Sequence, residues 1–292
     1  MTDPERVLVA GGAGFVGRSL CRVLAERGYD VTAASRSPDP GSLPPGVETT
    51  ALDVTEPDLT EAVAGHDAVV NLVALPSHVQ PRGRTHDEVH RAGTAHLLRA
   101  SEETGVDRFV QLSGLGVDEG VDAAYFRAKR AAERLVRESA LAWTIYRPSV
   151  VFGDGCAFLP FLRRITPPLV GALPGGGSMR IQPIWVEDLA PLLADGLDDE
   201  RHVGETYEIG GPERLTLAAT VRTVTGARAV LPIPMSLAAV GFRLAELVPG
   251  VPLGRDQYRA FALDNTTPDN DVTAFGVDEC AMLTLGTYVH EN

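Results

Sequence analysis

The chain has 292 residues, 44% of them hydrophobic, which is enough for a full core in one large α/β domain or in two lobes. Its 39 Asp and Glu against 26 Lys and Arg leave a formal net charge of -13, arguing against any sequence-independent grip on a nucleic-acid backbone. Such a carboxylate excess, with one lysine among 26 basic residues, fits a protein kept soluble in a salt-adapted cytoplasm where screening removes most self-repulsion.

Taken from the N-terminus, VLVA (7–10) is a short apolar run ending in glycines, and Phe15 to Arg27 has helical spacing closed by Gly28. Between them lies GGAGFVG, with Gly11, Gly12, Gly14 and Gly17, and with Phe15 and Val16 opening the helix. A strand, a tight glycine turn and a helix N-terminus form a dinucleotide-binding unit, because bare backbone lets a pyrophosphate approach the helix N–H groups. The second strand, VTAAS (31–35), ends in Ser35-Arg36 where an NAD site places an acid for the ribose 2′-hydroxyl. A guanidinium there suits a 2′-phosphate, with Arg18 assisting, so NADP(H) is favoured over NAD(H).

After a Pro/Gly-rich loop (38–46), VETTALDVT reads as a third strand ending in Asp53-Val54, followed by a short helix (57–64). DAVVNLVAL (67–75) is apolar enough to be a fourth strand buried on both faces, a helix spans 89–105, and RFVQLSG (108–114) is a fifth strand. The alternation predicts an α/β fold, a doubly wound parallel (Rossmann) sheet. Its ligands sit at the strand C-termini, where Gly11, Ser35, Asp53, Val73-Ala74 and Ser113 fall. His86 and His90 are four apart in HDEVH, but Glu88 stands one position late for a zinc-protease helix and no third ligand presents itself. They read as a solvated helix face, and no metal is expected. Cys21, Cys156 and Cys280 lack metal spacing and are expected to be small buried residues. The N-terminus has no signal pattern and no apolar run approaches the ~18 residues of a bilayer span, so a cytoplasmic protein is expected.

The one lysine is Lys129, four residues after Tyr125, so both side chains share a helix face. An ammonium is a compact charge suited to gripping vicinal hydroxyls, and it favours ionisation of a nearby phenol, which alone is a poor base near neutrality. The glycine loop, Ser113 at the end of a central strand and this Tyr-x-x-x-Lys helix together resemble the short-chain dehydrogenase/reductase superfamily. The resemblance implies that Tyr125 is the general acid/base, that Lys129 binds the nicotinamide ribose and that Ser113 orients the substrate oxygen. It also implies that Pro148 and the residues after it, including Val150 in WTIYRPSVVFGDG (143–155), line the nicotinamide, as in extended and atypical members.

The dinucleotide-binding domain is predicted over 1–155, with 181–203 returning to it, and a smaller substrate lobe over 156–180 and 204–292. The tail, from LPIPMSLAAVGFRLAELVPG through DQYRAFALDNTT to FGVDECAMLTLGTYV, resembles the atypical branch containing the NADPH-binding accessory subunit of respiratory complex I. Its helix Ser236 to Val248 is strongly apolar and reads first as core, otherwise as the wall of an apolar substrate pocket or a seat against a membrane complex. The leading expectation is an NADP(H)-dependent oxidoreductase acting on a carbonyl, alcohol or enone of fairly apolar character. Two others share the fold. One is a non-catalytic NADPH-binding subunit or assembly factor at the inner face of a respiratory membrane. The other is a sugar-nucleotide epimerase or dehydratase, which needs a basic diphosphate pocket and an asparagine beyond the nicotinamide strand, where Asp154-Gly155-Cys156 has none.

Overall fold

The computed structural model describes residues 6–75, 83–166, 169–245 and 263–292. β1 (Arg6–Ala10) feeds α1 (Phe15–Glu26), and β2 (Asp30–Ser35) and β3 (Glu48–Ala51) add outward on one side of β1. On the other side come β4 (Ala68–Asn71), reached through α2 (Thr60–Val63), then β5 (Arg108–Leu112), reached through α3 (Gly93–Thr104). β6 (Ala142–Pro148) follows α4 (Ala124–Glu138) and pairs with β5. All these pairings are parallel, and the reversal of strand order between β1 and β4 opens a crevice at their C-terminal ends.

The apolar run 67–75 predicts a longer β4, but pairing stops at Asn71, whose Oδ1 accepts from Val73 N at 3.2 Å and turns the chain. The strand predicted over 143–155 likewise divides. After Pro148 the chain leaves the sheet, and β7 (Val151–Phe152) pairs elsewhere, with β10 (Ile184–Trp185). α5 (Phe158–Ile165), β8 (Val170–Pro174) and β9 (Arg180–Ile181) precede β10, and α6 (Val186–Asp198) then packs back onto the main sheet with Leu189, Leu193 and Leu197 fully buried. β11 (Glu205–Ile209) pairs with β6 as the seventh strand, Tyr207 opposite Tyr146. The smaller lobe is expected to take up the chain from 204 onward, but residues 205–209 close the main sheet, and Val272 and Met282 from the tail fill its core.

The lobe is built from α5, β8, β12 (Leu215–Thr216, antiparallel to β9), α7 (Leu217–Thr225), β13 (Ala229–Ile233, parallel to β8), α8 (Met235–Ala245) and α9 (Leu285–Glu291). Phe152, Leu159, Leu162, Val221 and Leu285 form its own core. Residues 246–248 of the predicted apolar helix and 256–262 of the tail motif lie outside the described residues. Cys21 and Cys156 are buried as expected, whereas Cys280 is exposed at a surface turn, correcting that expectation. No helix among the described residues is long and apolar enough to cross a membrane.

Candidate active site

The glycine loop is as tight as its spacing predicts. Gly11 has φ +88°, a region that L side chains avoid, and Gly11 N donates to Ala34 O at 2.8 Å. A Cβ on Gly12 would stand 2.7 Å from Ala33 Cα, and one on Gly17 2.2 Å from Gly11 O, so these glycines let loop, β2 and α1 close on one another. Gly14 caps α1 without a side-chain bond, and the first turn has no acid. The backbone N–H groups there are left for an anionic ligand, which the chemistry of a dinucleotide pyrophosphate fits. Phe15 and Val16 begin the helix half-buried beside the loop.

At the end of β2, Ser35 Oγ is buried with no hydrogen-bond partner among the described residues, and Arg36 beside it is exposed. The Arg18 guanidinium, expected to assist at a 2′-phosphate, lies over Ala13 O (3.4 Å) and against Gly155. Asp53 is held by Arg84 through two bonds of 2.9 and 2.6 Å and by Thr55, and the Arg84 guanidinium keeps its carboxyl well below the usual range. The Asp53 carboxylate is therefore engaged within the protein. Val54 is buried against Gly93 and its carbonyl accepts from His96 Nδ1 at 2.9 Å, so it shapes the wall. Val73 and Ala74 follow the turn after β4, and Pro148 and Val150 flank the bend after β6, at the same edge of the sheet.

The sequence-predicted triad does converge. Lys129 is buried, and its Nζ donates to the carbonyls of Leu112 (3.0 Å) and Ser113 (3.2 Å) while standing 5.7 Å from the centroid of the Tyr125 ring. The Tyr125 hydroxyl lies over Gly114, where a Cβ would come within 3.2 Å of it. The buried Ser113 hydroxyl points toward the Glu133 carboxylate without closing a bond and has no hydrogen-bond partner among the described residues. Burial raises the Tyr125 phenol above its ordinary value, and burial pulls the Lys129 ammonium down to about 8 against the opposing pull of Glu133.

Glu133 continues the i,i+4 series of Tyr125 and Lys129, and it is a residue that the sequence reading missed. Arg147 grips it with Nε to Oε1 at 3.0 Å and Nη2 to Oε2 at 2.8 Å, and also reaches Asp118 (2.6 Å). Burial works to raise the Glu133 carboxyl, but bonds from Arg147 and Arg137 overcome it and leave the group below its ordinary value. This pair locks the inner face of α4 to β6. An arginine in the otherwise apolar run WTIYRP was the available signal, since a buried arginine requires a buried acid.

His86 and His90 are not a solvated face. Both are buried, their rings stack at 5.6 Å, and each packs edge-to-face on the Tyr125 ring at 5.6 Å. The reason is a π-helical turn, Asp87–Ala92, ahead of α3, a distortion that re-aims side chains and recurs at functional sites. His90 Nε2 accepts from Leu75 N at 3.4 Å, leaving the proton on Nδ1. Burial, with the nearby Lys129 charge, pushes this imidazole down to about 2, so it is neutral at physiological pH. No group of metal-ligating residues occurs among the described residues.

Beyond Ser113 and Pro148 opens a cleft of about 390 Å³ lined by Glu119, Arg180, Arg214, Asp264, Thr266 and Thr267. Asn265 fixes its wall by donating to Leu115 O (3.3 Å) and accepting from Ser149 Oγ (2.8 Å). Arg180 is paired with Asp264 at 2.7 Å, and Arg214 donates to the carbonyls of Thr267 (2.7 Å) and Pro268 (3.0 Å).

A family model described as NAD(P)H-binding matches residues 11–155. A mitochondrial NADH dehydrogenase [ubiquinone] 1 alpha subcomplex subunit 9 of Arabidopsis thaliana is 32% identical over 227 residues, covering 71% of this chain and 54% of that protein. This chain thus spans about half that subunit's length. A 2-alkyl-3-oxoalkanoate reductase of Stenotrophomonas maltophilia is 32% identical over 255 residues, covering 76% of this chain and 75% of that enzyme. Among solved structures, a UDP-galactose 4-epimerase superposes with a TM-score of 0.64 at 22% identity, over 78% of this chain and 86% of that one, a likeness of fold alone. With its glycine-loop Rossmann sheet and these relatives, the chain belongs to the NAD(P)-binding short-chain dehydrogenase/reductase superfamily, in its extended and atypical branch.

Proposed function

We propose that the protein is an NADP(H)-dependent oxidoreductase that reduces a carbonyl of an apolar substrate. The observation that carries this reading is the convergence of the sole lysine, Tyr125 and Ser113 on one edge of the sheet, with the phenol over Gly114 and the ammonium against the Ser113 carbonyl. In this reading the N–H groups of the glycine loop hold the pyrophosphate, Ser35 and Arg36 the 2′-phosphate, and Lys129 the ribose. Val73, Ala74, Pro148 and Val150 flank the nicotinamide. Bound NADPH supplies the hydride. Ser113 Oγ donates to the substrate carbonyl oxygen, and Tyr125 transfers its proton to that oxygen as negative charge develops. Alcohol results, and the phenolate regains a proton from water. A phenol raised by burial and packed against the neutral imidazole of His90 stays protonated near neutrality, which supports reduction as its direction.

The probe for turnover is a 2-alkyl-3-oxoalkanoate, the compound class in the name of the Stenotrophomonas enzyme. Cofactor choice has its own test. Arg36 is exposed beside the orphaned Ser35 hydroxyl, so Arg36→Ala is expected to weaken NADPH binding about tenfold to a hundredfold, the worth of a bidentate charged contact, and to change NADH affinity by less than about twofold. Titration of both cofactors by protein fluorescence checks it, and equal losses would remove the 2′-phosphate assignment.

Similarity to the plant complex I subunit supports a second reading, a cofactor-holding subunit of a respiratory assembly without turnover. The sugar-nucleotide reading is supported less. The cleft sets Asp264 on Arg180 and Glu119 nearby, so its charge is already balanced and suits a diphosphate poorly.

A further inference from the structure

The cofactor crevice runs outward from β1 along the strand ends. The glycine loop closes β1, Ser35 and Arg36 end β2, and Asp53 follows β3, with Leu52 N donating to Ser35 O at 2.9 Å and holding the last two turns side by side. A pyrophosphate at the glycine loop and a ribose at the end of β2 leave the adenine at the turn after β3. Asp53 is the residue expected to meet it there, since a carboxylate can accept from the 6-amino group of the base.

That carboxylate is already filled. Arg84 Nη1 donates to Oδ1 at 2.9 Å and Nη2 to Oδ2 at 2.6 Å, while Thr55 gives Oδ1 its backbone N–H (3.1 Å) and its hydroxyl (2.8 Å). Four donors thus meet a group with about four lone-pair sites. Arg84 belongs to the segment leading from β4 into the π-helical turn, and that segment is fixed by a reciprocal cap. Thr85 N donates to Glu88 Oε2 at 2.7 Å, and Glu88 N donates to Thr85 Oγ1 at 3.1 Å. The guanidinium therefore bridges two strand-end segments of the crevice, with its side chain 29% exposed beside a carboxylate 24% exposed. A fork of two N–H···O bonds uses donors that lie in the guanidinium plane and leaves the face of that plane open. A planar, delocalised cation offers this face to aromatic rings.

We propose that Arg84 holds the adenine of the cofactor by stacking, with the Arg84–Asp53 pair remaining closed when the cofactor binds. Contact through a ring face is tolerant of the base, because every purine has a π-face. The 6-amino group is then not read, and a hypoxanthine dinucleotide binds as well as an adenine one. This inference rests on the NAD(P)H-binding family match and is independent of turnover and of the choice between NADPH and NADH.

The test is calorimetric titration of the full chain with NADPH and its hypoxanthine analogue, and with NADH and its hypoxanthine analogue, so that either cofactor preference gives an answer. For the wild type, the two members of a pair are expected to bind within about twofold of each other. Arg84→Ala should weaken the adenine cofactor about tenfold, as loss of a stacked base contact does. It should weaken the hypoxanthine analogue further, because the freed Asp53 carboxylate accepts from an amino group and repels a carbonyl, so a preference for adenine appears only in the variant. Arg84→Lys keeps a cation beside Asp53 without the plane, and it should restore the thermal midpoint but not the affinity. A merely structural ion pair would let lysine rescue both. A wild type that prefers adenine tenfold or more shows that the pair opens and Asp53 reads the base, which overturns the proposal. Wild-type affinity in Arg84→Ala or in Arg84→Lys overturns it as well. Binding of none of the four ligands would overturn it together with the cofactor assignment, whereas binding without turnover leaves its outcome decided.

Discussion

Tyr125→Phe is expected to lower turnover of a 2-alkyl-3-oxoalkanoate by about a thousandfold, within the range of lost general acid catalysis, and to leave NADPH affinity within about twofold. The ring is held by His86, His90 and Phe126, contacts that phenylalanine keeps, so only the proton donor is lost. The variant should therefore unfold like the wild type, and a shift in stability would mean that the hydroxyl is structural. The pH profile adds a second handle. With the phenol raised and Lys129 down at about 8, the reductase rate should be level below that pH and fall as pH rises through it, when the ammonium loses its proton. A profile that rises over the same interval would assign the limiting group to a base.

The second large effect is on stability. Glu133→Gln removes the charge facing a guanidinium whose side chain is 9% exposed, and breaking such a buried pair typically costs about 3–5 kcal/mol. Asp118 at 2.6 Å retains part of the compensation, so about 3 kcal/mol by urea denaturation at neutral pH is expected. The folded Glu133 carboxyl lies below its unfolded value, so its contribution is complete above the ordinary carboxyl range and is lost as pH falls through the lower folded value. The gap between wild type and variant should narrow in acid. Replacing both Glu133 and Arg147 by methionine should recover most of the loss, because no charge is then left unpaired. A single variant as stable as wild type would show that the pair contributes nothing to locking α4.

What was legible in the sequence was local. The glycine loop, the strand before it and the helix after it lie within about twenty residues, and the 3.6-residue period alone brings Tyr125, Lys129 and Glu133 to one face. What was missed depends on partners far along the chain. Asp53 meets Arg84 across 31 residues, β11 finds β6 across about 60, and His86 and His90 are buried only because a π-turn aims them at a ring on α4. In sequence those histidines share a stretch with Asp87, Glu88 and Arg91, and a polar stretch of this kind reads as surface.

The most direct test of the proposed function follows the hydride itself. With deuterium-labelled NADPH and a 2-alkyl-3-oxoalkanoate, the label is expected in the product alcohol of the wild-type protein and about a thousandfold more slowly with Tyr125→Phe. Equal rates of label transfer by the two proteins, or tight NADPH binding with no transfer to any carbonyl offered, would contradict the reductase and leave a protein that holds its cofactor without using it.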